Sequence, residues 1–98
     1  MLDKDGYPTE KYLNKVREYC SLDNPFGIIG LIKEGWKYDS GVRVSGTRVI
    51  RLELHTFGWS GNEEIIQSLQ SNFMFWGMYW QKSLRGGHYY FKLNKIDK

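Results

Sequence analysis

The chain has 98 residues, 41% of them apolar, 16% aromatic and 26% charged, and a domain of this size holds one core, burying roughly 60 to 70% of the surface its unfolded chain would expose. Fourteen Lys and Arg against eleven Asp and Glu leave a net charge of +3. That balance tolerates an anionic partner but is too small, and too scattered along the sequence, to be a nucleic-acid footprint by itself.

Cys20 is the one cysteine and can close no internal disulfide, and no basic segment followed by an apolar run opens the chain, so a cytoplasmic setting is expected. The longest apolar run, residues 73–80, is broken only by Gly77 and falls far short of the ~20 residues that cross a bilayer. No membrane partner is expected, and no Cys-x-x-Cys or His-x-x-x-His pair suggests a metal or cofactor site.

In chain order, residues 1–8 read as a flexible start with a turn at Asp5-Gly6. Thr9 suits the N-cap of a helix reaching about Cys20, with Tyr12, Leu13, Val16, Tyr19 and Cys20 on one face. Cys20 is therefore expected as a small buried hydrophobe. A second helix is expected over residues 25–34: Asn24 is a good cap, proline suits the first position, Gly35 suits the stop, and Phe26, Ile29 and Ile32 form an inner stripe. Gly27 and Gly30 each cost up to about 1 kcal/mol there, and a strand-like reading of residues 28–32 stays open.

From Trp36 the pattern turns to period two. Trp36 and Tyr38 precede an Asp39-Ser40-Gly41 turn, Val42 and Val44 follow it, and two short strands are expected to flank the turn. Residues 47–56 make the best strand, with Ile50, Leu52 and Leu54 on one face and Val49, Arg51, Glu53 and His55 on the other. Ser60-Gly61-Asn62-Glu63 fits a capping box opening a helix to about Gln70 that buries Ile65, Ile66 and Leu69. Residues 73–82 are apolar at alternate positions on both sides and read as a strand covered on both faces. Glycines in Arg85-Gly86-Gly87 allow the tight turn of a hairpin, residues 88–93 return as the partner strand, and residues 94–98 form a frayed basic tail. These elements predict a single α+β domain over residues 1–98, with two or three amphipathic helices packed on a mainly antiparallel sheet of about four strands.

The sequence Gly58-Trp59-Ser60-Gly61-Asn62-Glu63, followed by Phe75-Trp76, Tyr79-Trp80 and Arg85-Gly86-Gly87-His88-Tyr89, resembles a group of small uncharacterised proteins encoded by bacteriophages and prophages. The opening Asp5-Gly6-Tyr7-Pro8-Thr9-Glu10 and the strand end Leu52-Glu53-Leu54-His55-Thr56 resemble that group too, and the likeness covers most of the chain. Phe57 departs from it, standing where such proteins often carry glycine. The resemblance implies a phage origin, hence the host-cell cytoplasm, and supplies no mechanism.

Three chemistries are open to the stretch between His55 and His88. A loop feeding a helix N-terminus, with Arg85 and His88 closing over it, would suit a phosphate, although a capping box would occupy two of the backbone N–H groups. His55 and His88 with Glu64 are the materials of a small phosphodiester hydrolase or nuclease. Trp59, Trp76, Tyr79, Trp80, Tyr89 and Tyr90 could stack bases, each stack worth roughly 1 to 3 kcal/mol, yet most of them read more simply as core. Trp59, on a loop between glycines, is the leading contact residue, and Arg85 is next. The favoured expectation is a non-enzymatic accessory protein, suited by origin to counter-defence, that binds a host protein or a phosphate-bearing small ligand such as a nucleotide through Trp59, Asn62, Arg85 and His88. Nucleic acid is allowed but not favoured, a structural virion protein is a further class, and the aromatic strands leave room for a homodimer.

Overall fold

The computed structural model describes residues 7–20 and 26–94. Helix α1 spans Glu10–Glu18 and is capped as its sequence suggests, the Thr9 hydroxyl accepting from the Tyr12 backbone N–H at 3.2 Å. Tyr12, Leu13 and Val16 are buried. The helix ends earlier than expected, with Tyr19 in an extended conformation, so Cys20 leaves the apolar stripe and its free thiol is exposed.

Helix α2, Gly27–Gly35, runs through residues 28–32 and closes the strand alternative there. Phe26 stands at its N-cap without a side-chain bond; the expected cap, Asn24, and Pro25 lie outside the described residues. Ile28 and Ile32 are buried, and Gly35 lies directly under the Tyr12 ring, where a Cβ would collide. The Tyr12 hydroxyl donates to the carbonyls of Leu31 (2.6 Å) and Ile32 (3.3 Å). Burial first, and the charge of Glu34 second, push this phenol above its ordinary range.

No strand forms at Trp36 and Tyr38. The chain bends and enters a 3-10 turn, Asp39–Gly41, because Trp36 is drawn into the core and its indole N–H donates to the His55 carbonyl at 3.2 Å. Strands β1 (Val42–Ser45), β2 (Val49–His55), β3 (Trp80–Leu84) and β4 (His88–Asn94) form one antiparallel sheet in the order β1-β2-β4-β3. Leu52, Leu54, Phe91 and Leu93 point from its central strands into the core.

Helix α3, Ser60–Ser71, buries Ile65, Ile66 and Leu69 as expected, but the capping box is absent. Ser60 is already helical, Trp59 holds the N-cap position with no side-chain bond, and the Glu63 backbone N–H donates to the Trp59 carbonyl at 3.2 Å. The larger correction is helix α4, Phe73–Tyr79, where a two-faced strand was expected. Asn72 decides it. Its side-chain oxygen accepts from the Phe75 backbone N–H at 3.1 Å, and its amide donates to the carbonyls of Val16 (3.0 Å) and Tyr19 (2.9 Å), joining the start of α4 to the end of α1. Phe75 and Tyr79, four residues apart, are then buried on one side.

The fold is α+β: the described residues form four α-helices and a four-stranded antiparallel sheet, with one helix more than the sequence suggested. Helix and sheet side chains share one core, and among the described residues no helix packs on the opposite face of the sheet. Among the described residues no helix is long and apolar enough to cross a membrane.

Candidate functional site

Successive residues of a strand point to opposite faces, so the registers state which side chains share the one away from the helices. Arg43 pairs with Glu53 and Ser45 with Arg51. Arg51 pairs with Lys92, Glu53 with Tyr90, and His55 with His88. Lys82 and Leu84 on β3 stand opposite Tyr90 and His88. All four cations of the strands, Arg43, Arg51, Lys82 and Lys92, fall on this face, and Glu53 is the one strand carboxylate. Charge on the helices is balanced instead, with Lys11, Lys15, Arg17 and Lys33 against Glu10, Glu18, Glu34, Glu63 and Glu64. Within the regular elements, the positive excess thus lies on one side of the sheet.

A depression of about 320 Å³ lies among Arg51, Glu53, Lys82, Tyr90 and Lys92. Arg51 and Lys92 also border a second hollow of about 530 Å³ at the β1–β2 turn, beside Arg48. The Lys82 ammonium sits 5.0 Å from the centre of the Tyr90 ring, which leaves the aromatic face bordered by positive charge.

Toward the hairpin tip the two histidines meet. Their Nδ1 atoms are 2.7 Å apart, a contact that requires one proton between them and makes one ring the donor and the other the acceptor. Glu53 Oε1 lies 3.4 Å from His55 Nε2. Glu53, His55 and His88 thus lie in contact with one another at one corner of the sheet. Glu64, grouped with the histidines on sequence grounds, is exposed on α3 and makes no ion pair with either. The neighbouring carboxylate is Glu53.

The turn before α3 and the tip of the β3–β4 hairpin lie side by side. Thr56 donates its backbone N–H to the Gly87 carbonyl at 3.0 Å, and Gly87, at φ +82°, passes so close to the Thr56 hydroxyl that a Cβ there would collide with it. His88 therefore belongs to this corner, and Arg85 is exposed at the tip. Trp59 is partly buried, with the Lys37 ammonium 3.8 Å from its ring centre and the Tyr7 ring 4.5 Å away. Asn62 faces inward and is fully buried. Its side-chain oxygen accepts from the Lys37 N–H (2.9 Å) while its amide donates to the carbonyls of Lys37 (3.0 Å) and Thr56 (3.3 Å). These bonds tie the segment after α2 to the turn before α3.

Two aromatic residues outside the expected site stand at the same corner. Tyr38 (φ +72°) and Phe57 (φ +53°) both hold left-handed backbone conformations, uncommon for bulky residues. Both rings are more than half exposed, and they meet edge to face at 6.0 Å. Glycine is the residue such a conformation favours. No local pattern reveals a positive φ at a bulky residue, so the meeting of these two rings left no trace in the sequence. The cations read as scattered along the sequence, although the alternation in Ile50-Arg51-Leu52-Glu53 and Tyr90-Phe91-Lys92-Leu93 sets Arg51, Glu53, Tyr90 and Lys92 apart from the apolar positions.

Against known proteins, the chain matches no family model, no curated protein and no solved structure.

Proposed function

We propose that this is a non-enzymatic accessory protein of phage or prophage origin, suited to counter-defence in the host cytoplasm, that binds a phosphate-bearing ligand on the face of its sheet away from the helices. The observation that carries the reading is the segregation of Arg43, Arg51, Lys82 and Lys92 onto that face with Glu53 as the one strand carboxylate. Guanidinium and ammonium groups around a hollow recognise phosphate by charge-assisted hydrogen bonds. Arg85 and His88 extend the same surface toward the hairpin tip, whereas Asn62 acts behind it as a brace.

A thermal-shift series with mono-, di- and cyclic nucleotides and with inorganic pyrophosphate tests the reading. A ligand at about 100 times its Kd stabilises by ~2.7 kcal/mol, which at 4 to 8 °C per kcal/mol raises the melting temperature of a domain this size by roughly 10 to 20 °C. At least one of these compounds is expected to do so, and Arg51→Ala combined with Lys92→Ala should abolish the shift. No shift with any of them would contradict the proposal.

A second reading, a protein partner, is favoured by a different surface. Phe73 (85% exposed), Met74 and Met78 project from one side of α4, with Trp80 following. Contiguous exposed apolar groups of this kind suit a host protein or a second copy of the chain. Light scattering on the native chain and on Phe73→Ser separates them: a dimer that the substitution dissociates means self-association, and a monomer in both leaves the patch for a host protein.

A further inference from the structure

Across the cationic face, and beyond it into the corner, runs a string of rings. Tyr90 lies 6.1 Å from His55, His55 lies 6.4 Å from Phe57, and Phe57 lies 6.0 Å from Tyr38. His55 is wedged within the string, its side chain 14% exposed, whereas Phe57 and Tyr38 stand more than half exposed with a hollow of about 300 Å³ beside them. Cations accompany both ends. The Lys82 ammonium is 5.0 Å from the Tyr90 ring, and the Lys37 ammonium is 5.6 Å from the Tyr38 ring. Two exposed aromatic residues held at positive φ are local strain, and strain of this kind persists where the surrounding fold enforces it, which is common at binding surfaces.

Building on the phosphate-binding reading, we infer that the ligand is single-stranded nucleic acid, whose bases stack along Tyr90, Phe57 and Tyr38 while its phosphates track Arg51, Lys82 and Lys92. A mononucleotide offers one base and one phosphate site, but this surface repeats both. Rings spaced in succession beside a cationic groove are how proteins hold single strands without reading their sequence, because every base has a π-face. An open antiparallel sheet with helices behind it is a suitable platform, and aromatic side chains on such sheets stack roughly two or three bases. A duplex keeps its bases internally stacked and cannot use the rings.

Fluorescence anisotropy with labelled oligo-dT and oligo-U, from one nucleotide to about 12, tests this directly. Affinity should climb with length through the first few nucleotides and then level off. Log affinity should fall with log salt at a slope of about −1.4 to −2.8, corresponding to two to four phosphates engaged at about −0.7 each. Tyr90→Ala and Phe57→Gly should each weaken binding by roughly 5- to 150-fold, the range for losing one stacked base. Tyr90→Phe should restore it. Phe57→Gly removes an exposed ring and places at φ +53° the residue that conformation favours, so the loss cannot be assigned to unfolding. Comparing the dT and U arms tells whether the 2′-hydroxyl contributes.

Mononucleotide binding as tight as the longest oligomer, with no effect of Phe57→Gly, would overturn the inference and leave the phosphate reading standing. Equal binding of duplex DNA or of polyglutamate, indifferent to Tyr90→Ala, would overturn it in favour of general electrostatic attraction. Failure of oligonucleotides, nucleotides and pyrophosphate alike would remove both.

Discussion

Replacing Asn62 by alanine is the substitution that best separates a brace from a contact residue. The side chain is fully buried and makes three bonds, accepting from the Lys37 N–H and donating to the carbonyls of Lys37 and Thr56 at 2.9, 3.0 and 3.3 Å. Alanine leaves the part-buried N–H and carbonyl of Lys37 without this partner, whereas the Thr56 carbonyl keeps the Trp59 N–H at 3.0 Å. A buried group left without a partner costs about 1 to 3 kcal/mol, and partial admission of water keeps the two from adding in full. The expected loss is about 2 to 4 kcal/mol, a large share of the ~5 to 15 kcal/mol that holds a domain together. At 4 to 8 °C per kcal/mol the melting temperature should fall by roughly 8 to 32 °C. Urea denaturation should show a lower midpoint with unchanged slope if only the native state is affected. A melting temperature within about 2 °C of the parent's, together with weakened nucleotide binding, would refute this account and make Asn62 a ligand residue.

Further outcomes follow from the same geometry. Asn72→Ala removes the α4 cap, worth about 0.5 to 2 kcal/mol, and two bonds to the end of α1; circular dichroism should report lost helix and earlier unfolding. Gly87→Ala sets a side chain at φ +82° against the Thr56 hydroxyl. A loss of about 1 to 3 kcal/mol is expected in thermal melts, and a neutral result would mean that the hairpin tip does not abut the turn before α3. The Tyr12 phenol is raised in the folded protein, so its contribution is fully present below the unfolded value of 10.0 and fades as pH rises above it. Tyr12→Phe should lose stability at neutral pH, through the missing bonds to Leu31 and Ile32, and should show a shallower alkaline decline in chemical denaturation; an identical decline would sink the linkage. Native Cys20, being exposed, should react with a thiol reagent as fast as the unfolded chain does, and protection from the reagent would contradict its placement.

Elements with one periodicity and clear ends were legible in the sequence. Strand β2 and strand β4 alternate, α1 carries its cap at Thr9, and the Gly86-Gly87 turn forces a hairpin. What escaped was decided by contacts distant in sequence. Asn72 looks like a linker residue until its amide reaches Val16 and Tyr19, and only then does the apolar run after it become a helix. Ser60 suits a cap by its neighbours, yet burial of Asn62 against Lys37 and Thr56 sets where α3 begins. Of the candidate site, the meeting of His55 and His88 follows from the strand register, and the cation segregation could have been read from alternation. The meeting of Tyr38 and Phe57 could not, since a backbone conformation that bulky residues rarely adopt leaves no periodic trace.

The central claim, that the sheet face away from the helices is the ligand surface, is tested most directly by chemical-shift mapping. Inorganic pyrophosphate titrated into isotopically labelled protein should move the amide signals of Arg51, Lys82, Tyr90 and Lys92 in a saturable way while those of α1 and α3 stay in place. Saturable shifts confined to the helices, or none anywhere, would contradict the account.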